Sequence, residues 1–119
     1  MEKTICIVED NTDIRELLEY LLKSRGFTVC ACASLTMFTQ RIETTKPDLI
    51  ILDIMLPDGN GLDFCTKLKA DEATRHIPVL LMSANMSNGL KAGRSSAEDF
   101  IAKPFDINDF MSRVQRLVA

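Results

Sequence analysis

The run Leu49-Ile50-Ile51-Leu52 is continuous, branched and apolar, and it ends on Asp53. A strand with one face in water alternates apolar and polar residues, whereas an unbroken apolar run is buried on both faces. Pro57 and Asp58-Gly59 follow closely and mark a loop. A chain built around such a strand needs a layer above it and a layer below. Helices on both faces of a parallel sheet supply them. In open sheets of that kind, chemistry gathers at the carboxyl ends of the strands, which is where Asp53 falls.

The rest of the chain repeats the pattern. Thr4–Val8 reads as a buried strand with Glu9 and Asp10 at its end. Asn11 or Thr12 caps a helix whose apolar stripe is Ile14, Leu17, Leu18, Leu21 and Leu22. Gly26 stops it. Phe27–Cys32 is a second strand, and Ser34 caps a helix through about Thr44 with Leu35, Phe38 and Ile42 inward. Lys46-Pro47-Asp48 breaks that helix before the central strand. Gly61–Ala70 forms a third helix, with Leu62, Cys65 and Leu68 on one side. Ile77-Pro78 leads into strand Val79–Met82, with Ser83 at its end. In Asn85–Ser96, Met86, Leu90 and Ala92 suggest a helix. Gly89 and Gly93 each cost it about 1 kcal/mol relative to Ala, so it should be short. Asp99–Ala102 is a fifth strand, followed by Lys103-Pro104. Asp106 caps a last helix with Ile107, Phe110, Met111, Val114, Leu117 and Val118 at helical spacing. Five strands alternating with five helices predict one α/β domain over residues 1–119, with a doubly wound parallel sheet.

Composition removes several classes. The chain is 46% hydrophobic, enough for a core and against disorder. Its net charge of −3 argues against direct nucleic-acid binding by this domain. No apolar run approaches the roughly 20 residues a membrane helix needs. The N-terminus lacks signal-peptide anatomy. The expectation is a cytoplasmic protein with no membrane partner. Cys6, Cys30, Cys32 and Cys65 form no C-x-x-C motif. Cys30 and Cys32 share a strand face, and buried free thiols are preferred over a zinc site.

The strand ends bring together Glu9, Asp10, Asp53, Ser83 and Lys103. Three carboxylates close together repel one another unless a cation joins them. Mg²⁺ prefers oxygen ligands and suits one or two carboxylates plus phosphate oxygens. A metal, an ammonium and a hydroxyl describe a site for a transferred phosphoryl group. Asp53, between the acidic pair and Ser83 and Lys103, is the candidate nucleophile, since carboxylates form aspartyl-phosphates.

Four segments now match one family in order. They are Val8-Glu9-Asp10-Asn11, Leu52-Asp53-Ile54-Met55-Leu56-Pro57-Asp58-Gly59-Asn60-Gly61, Ile77-Pro78-Val79-Leu80-Leu81-Met82-Ser83-Ala84 and Phe100-Ile101-Ala102-Lys103-Pro104-Phe105. Over its whole length the chain resembles the receiver domain of two-component response regulators. The resemblance implies a flavodoxin-like fold with strand order 2-1-3-4-5. It implies a phosphorelay role in which Asp53 takes a phosphoryl group from a sensor histidine kinase or phosphotransfer protein. Glu9, Asp10, Asp53 and the backbone carbonyl of Met55 would hold Mg²⁺, with Mn²⁺ as the alternative ion. Ser83, Lys103 and the backbone of Ala84 would contact the phosphoryl group. Ser83 and Phe100 would switch conformation, changing the surface of the fourth helix, fifth strand and last helix. Met55 and Asn85 fall where the family tunes phosphoryl loss, and the Lys103-Pro104 bond would be cis. Output would pass to an effector domain or a downstream protein. Such a domain is not an enzyme beyond its own phosphoryl transfer and dephosphorylation.

Some positions depart from the family's usual pattern. Glu9 stands where Asp is commoner, Ser83 where Thr is, and Ser96-Ala97 where Gly-Ala is. The stretch from Ser83 to Lys103 is slightly short. Three other readings compete. A phosphatase of the haloacid dehalogenase type would need an acid at the Met55 position. A flavodoxin-like electron carrier would need a Ser/Thr/Gly-rich loop in place of Glu9-Asp10. A receiver-shaped interaction module working without phosphorylation would be expected to lose a site residue, and none is lost.

Overall fold

The computed structural model describes residues 2–84 and 95–119. Five strands form one parallel sheet: β1 (Thr4–Val8), β2 (Thr28–Cys32), β3 (Leu49–Asp53), β4 (Val79–Ser83) and β5 (Asp99–Ala102). Their order is β2-β1-β3-β4-β5, as the resemblance implied. Four helices are described: α1 (Thr12–Ser24), α2 (Leu35–Thr45), α3 (Gly61–Ala70) and α4 (Ile107–Val118). The helix expected within Asn85–Ser96 falls mostly on residues 85–94, outside the described residues.

β3 shows why the fold has two helical layers. All five of its residues are buried, and successive side chains point to opposite faces. Ile50 and Leu52 join Cys6, Val8, Leu81, Phe38 and Cys65 beneath α2 and α3. Leu49 and Ile51 join Ile5, Ile7, Leu80, Leu18, Phe110 and Val114 beneath α1 and α4. One strand thus nucleates both cores. Each helix begins with a side-chain cap: Asn11 accepts from the Ile14 N–H, Ser34 from Met37, Asn60 from Leu62 and Asp106 from Asn108. Satisfying an orphan N–H in this way is worth about 1 kcal/mol per helix. Gly26 adopts φ 90°, the left-handed conformation expected just past the end of α1.

Two predicted core positions are half-exposed instead. Leu17 is 43% exposed and Ile107 45%. Leu17 lies about 100° around α1 from the buried Leu18, past the edge of the stripe. Ile107 begins α4 at the rim where β5 ends, so its face is right but little lies opposite it. The four cysteines are free thiols.

Candidate functional site

Register sets the site. Val8 pairs with Leu52 and Asp53 with Met82, so β1, β3 and β4 end at one edge. Ser83 pairs with Ala102, which delivers Lys103 to the same edge. Backbone hydrogen bonds extend the strands beyond their last residues. Glu9 N–H donates to the Cys32 carbonyl at 3.0 Å, and Lys103 N–H to the Ser83 carbonyl at 3.0 Å. Lys103-Pro104 is cis, as the resemblance implied.

Lys103 bridges two carboxylates. Its ammonium donates to Asp53 Oδ2 at 2.7 Å and to Glu9 Oε1. Glu9 is fully buried and Asp53 5% exposed, while Asp10 is open to solvent. The second Glu9 oxygen accepts from the Asn11 N–H at 3.0 Å, and Asp53 Oδ1 from the Met55 N–H at 3.1 Å. Each buried carboxylate is therefore held at both oxygens. Oxygens of Glu9, Asp10 and Asp53 all lie within 4.8 Å of one another.

The electrostatics follow from burial and pairing. Burial opposes the Lys103 charge, but its hydrogen bonds to Asp53 and Glu9 outweigh that and hold the ammonium above its ordinary pKa. Burial pushes the Glu9 carboxyl up, its bonds to Lys103 and Asn11 pull it down, and neighbouring Asp53 pushes it up again. The net direction is upward, as desolvation demands. One ammonium cannot balance three carboxylates, so the cluster is short of positive charge. An all-oxygen set with one member open to water fits a hard divalent ion that keeps part of its hydration shell.

Ser83 is buried at the same edge. Ala84 is exposed beside it. Met55 is 62% exposed, on the rim of the site. Phe100 is half-buried and packs against the core beneath α2 and α3. Asn85 lies outside the described residues.

Three further positions shape the site and carry no periodic signal. The Arg15 guanidinium on α1 donates to the Glu9 carbonyl at 2.9 Å and the Asp10 carbonyl at 3.3 Å, tying down the acidic loop. The Asp58 carboxylate accepts from the Leu35 N–H at 3.0 Å, the Thr36 N–H at 2.9 Å and the Thr36 hydroxyl at 2.7 Å. It thereby fastens the loop after Asp53 to the start of α2. Gly61 donates its N–H to the Ile54 carbonyl at 2.7 Å, and its missing Cβ lets α3 approach the Asp53-Ile54 backbone. Asp58-Gly59 was visible in sequence as a loop and Gly61 as the start of a helix, but not what they touch.

Known proteins resemble this chain in sequence and fold. PhoB, the phosphate regulon transcriptional regulatory protein of Escherichia coli K12, is 33% identical across 99% of this chain and 52% of its own length. The DNA-binding response regulator MtrA of Mycobacterium leprae is 32% identical across 97% of this chain and 51% of its own. The chain thus spans about half the length of the curated relatives it matches. Among solved structures, the signal receiver domain of a histidine kinase from Syntrophus aciditrophicus superposes with TM-score 0.89 at 30% identity, covering 98% of this chain and 89% of that one. The receiver domain of the sensor histidine kinase PA1611 of Pseudomonas aeruginosa PAO1 superposes with TM-score 0.87 at 27% identity, covering 99% and 98%. That domain has magnesium coordinated in its active site cleft. The model of the response regulator receiver domain matches residues 5–115, and the chain belongs to that family.

Proposed function

We propose that Asp53 is the phosphoacceptor of a two-component phosphorelay, charged by a phosphohistidine on a sensor histidine kinase or phosphotransfer protein. A carboxylate oxygen of Asp53 attacks phosphorus, and the bond from phosphorus to the imidazole nitrogen breaks. The observation that carries this reading is the Lys103 ammonium, bonded at once to Asp53 and Glu9, with Asp10 alongside. It places a fixed positive charge against the atom that would become phosphorylated, which is how phosphoryl transfer is stabilised.

Glu9, Asp10, Asp53 and the Met55 carbonyl would hold Mg²⁺, which when bound neutralises charge on the phosphoryl oxygens. Lys103 holds Asp53 in place beforehand and is sited to follow a phosphoryl oxygen afterwards. The Ser83 hydroxyl and the Ala84 backbone are the neighbouring donors. Phosphorylation adds close to two negative charges at this edge. Ser83 moving toward them opens room for Phe100, and the population shifts between two packings. Output passes to an attached effector domain or a downstream protein in the cytoplasm.

The test uses a small phosphodonor, acetyl phosphate, and the phosphoryl mimic beryllofluoride, with and without Mg²⁺. The wild type gains a phosphoryl mass and shows beryllofluoride-induced amide shifts only with Mg²⁺, and Asp53→Asn does neither. Absence of both responses in the wild type would leave a docking module that works unmodified.

A further inference from the structure

Away from the carboxylate edge, the same sheet carries a sulfur-lined spot. Cys30 and Cys32 are two residues apart on β2, so both thiols face the α2 side. Their sulfurs lie 3.9 Å apart. Cys6 of β1 stands in register with Cys30 on the same face. The Arg41 guanidinium of α2 reaches the Cys30 sulfur at 4.0 Å. Nothing in the phosphoacceptor chemistry uses these groups.

We infer that Cys30 and Cys32 form a binding site for a soft monovalent d10 cation of the Cu(I) class. Thiolates select soft metals. An ion about 2.3 Å from each sulfur closes an S–metal–S angle of about 116° across the 3.9 Å span, so neither thiol needs to move. That angle is close to the trigonal value, so the ion takes a third ligand. Cys6 completes a trigonal set only by moving nearer, since the three sulfurs do not all lie within 4.8 Å of one another. Among the described residues, the acid triad is the one group of three ligating side chains already within 4.8 Å of one another. A structural zinc site would need four ligands, and the single histidine, His76, is exposed in the loop before β4.

The surroundings meet the other requirements of a site. The ion displaces the thiol protons as it enters. Two thiols and one monovalent cation give a dithiolate complex of charge −1 and release two protons. Arg41 stands where that negative charge appears. Entry is open because β2 is an edge strand and Cys30 is only half-buried.

The test is anaerobic competition for Cu(I) between the full chain and bathocuproine disulfonate. One Cu(I) per chain is retained. Cys30→Ser weakens retention by more than the 10–100-fold that outer partners of a metal typically carry, and Arg41→Ala weakens it by about 10-fold. Cys65→Ser leaves it unchanged, since Cys65 is on α3, apart from the pair. Far-UV circular dichroism establishes that each variant is folded. Cys30 is not fully buried, so its serine variant is compatible with folding. Failure of the folded wild type to hold Cu(I), or retention that survives Cys30→Ser or follows Cys65 instead, overturns the inference.

Discussion

Gly61→Ala gives two physical arguments opposite signs. Gly61 is the first residue of α3 and has no left-handed backbone angle. By helix propensity and unfolded-state entropy alone, alanine there should stabilise the protein by about 0.5–1 kcal/mol. Contact geometry predicts the reverse. An added Cβ would lie 2.8 Å from Ile54 Cα and 3.0 Å from the Asp53 carbonyl carbon, and closer still to the Asp53 carbonyl oxygen. Opening the 2.8 Å approach to the 3.4 Å of ordinary contact moves backbone by at least about 0.6 Å. Both sides are main chain, so no flexible side chain can absorb the shift. Overpacking of this sort costs about 1–3 kcal/mol, and the rigid neighbours place it at the upper end. The net expectation is a loss of about 2 kcal/mol, roughly a 30-fold fall in the folded-to-unfolded ratio. Urea denaturation at neutral pH measures it, with a lowered midpoint and an unchanged slope expected. The same displacement acts on the residue carrying the phosphoacceptor carboxylate, so phosphorylation by acetyl phosphate should slow as well. An alanine variant as stable as the wild type, or more so, would refute the close-approach argument.

Three other outcomes follow from the same geometry. Asp58→Ala should lower the denaturation midpoint at neutral pH. The Thr36 hydroxyl, then the Thr36 and Leu35 N–H groups, hold the Asp58 carboxyl below its usual 3.8. Its contribution is therefore present above that value and lost as pH falls through the lower native one, so the gap from wild type should close in strong acid. Glu98→Ala strips an acceptor from both the Val79 N–H and Lys69, each bonded at 2.8 Å. Lys69 is largely buried and Glu98 partly exposed, so a loss of about 2 kcal/mol in chemical denaturation is expected. Lys103→Met removes the cation that occupies Glu9 and Asp53, so Mg²⁺ titrated calorimetrically should bind more tightly. Phosphorylation of Asp53 should nonetheless fail for want of the ammonium.

The parts of this protein legible in sequence are those written in short-range order. The unbroken apolar run of β3 and the 3.6-residue stripes of α1 and α4 depend on neighbours along the chain. The meeting of Glu9, Asp53, Ser83 and Lys103 then followed, because parallel strands joined by helical crossovers end at one edge, while the strand order came from the resemblance to the receiver family. Arg15, Asp58 and Gly61 stayed hidden for a common reason. Each acts on main-chain atoms of another element or loop, and a main-chain partner has no identity in the sequence. Asp58 is read as a turn residue whether or not the start of α2 lies within 3 Å of it. Leu17 and Ile107 mark the converse limit. Periodicity finds the face of a helix but not how far the opposing layer extends, so residues at the margin of a stripe or the rim of a sheet count as core until the neighbour's edge is known. The thiol pair lies between these cases. Its shared strand face was visible from the spacing of Cys30 and Cys32, but the 3.9 Å separation depends on side-chain rotamers, and Arg41 reaches it only because α2 crosses over β2.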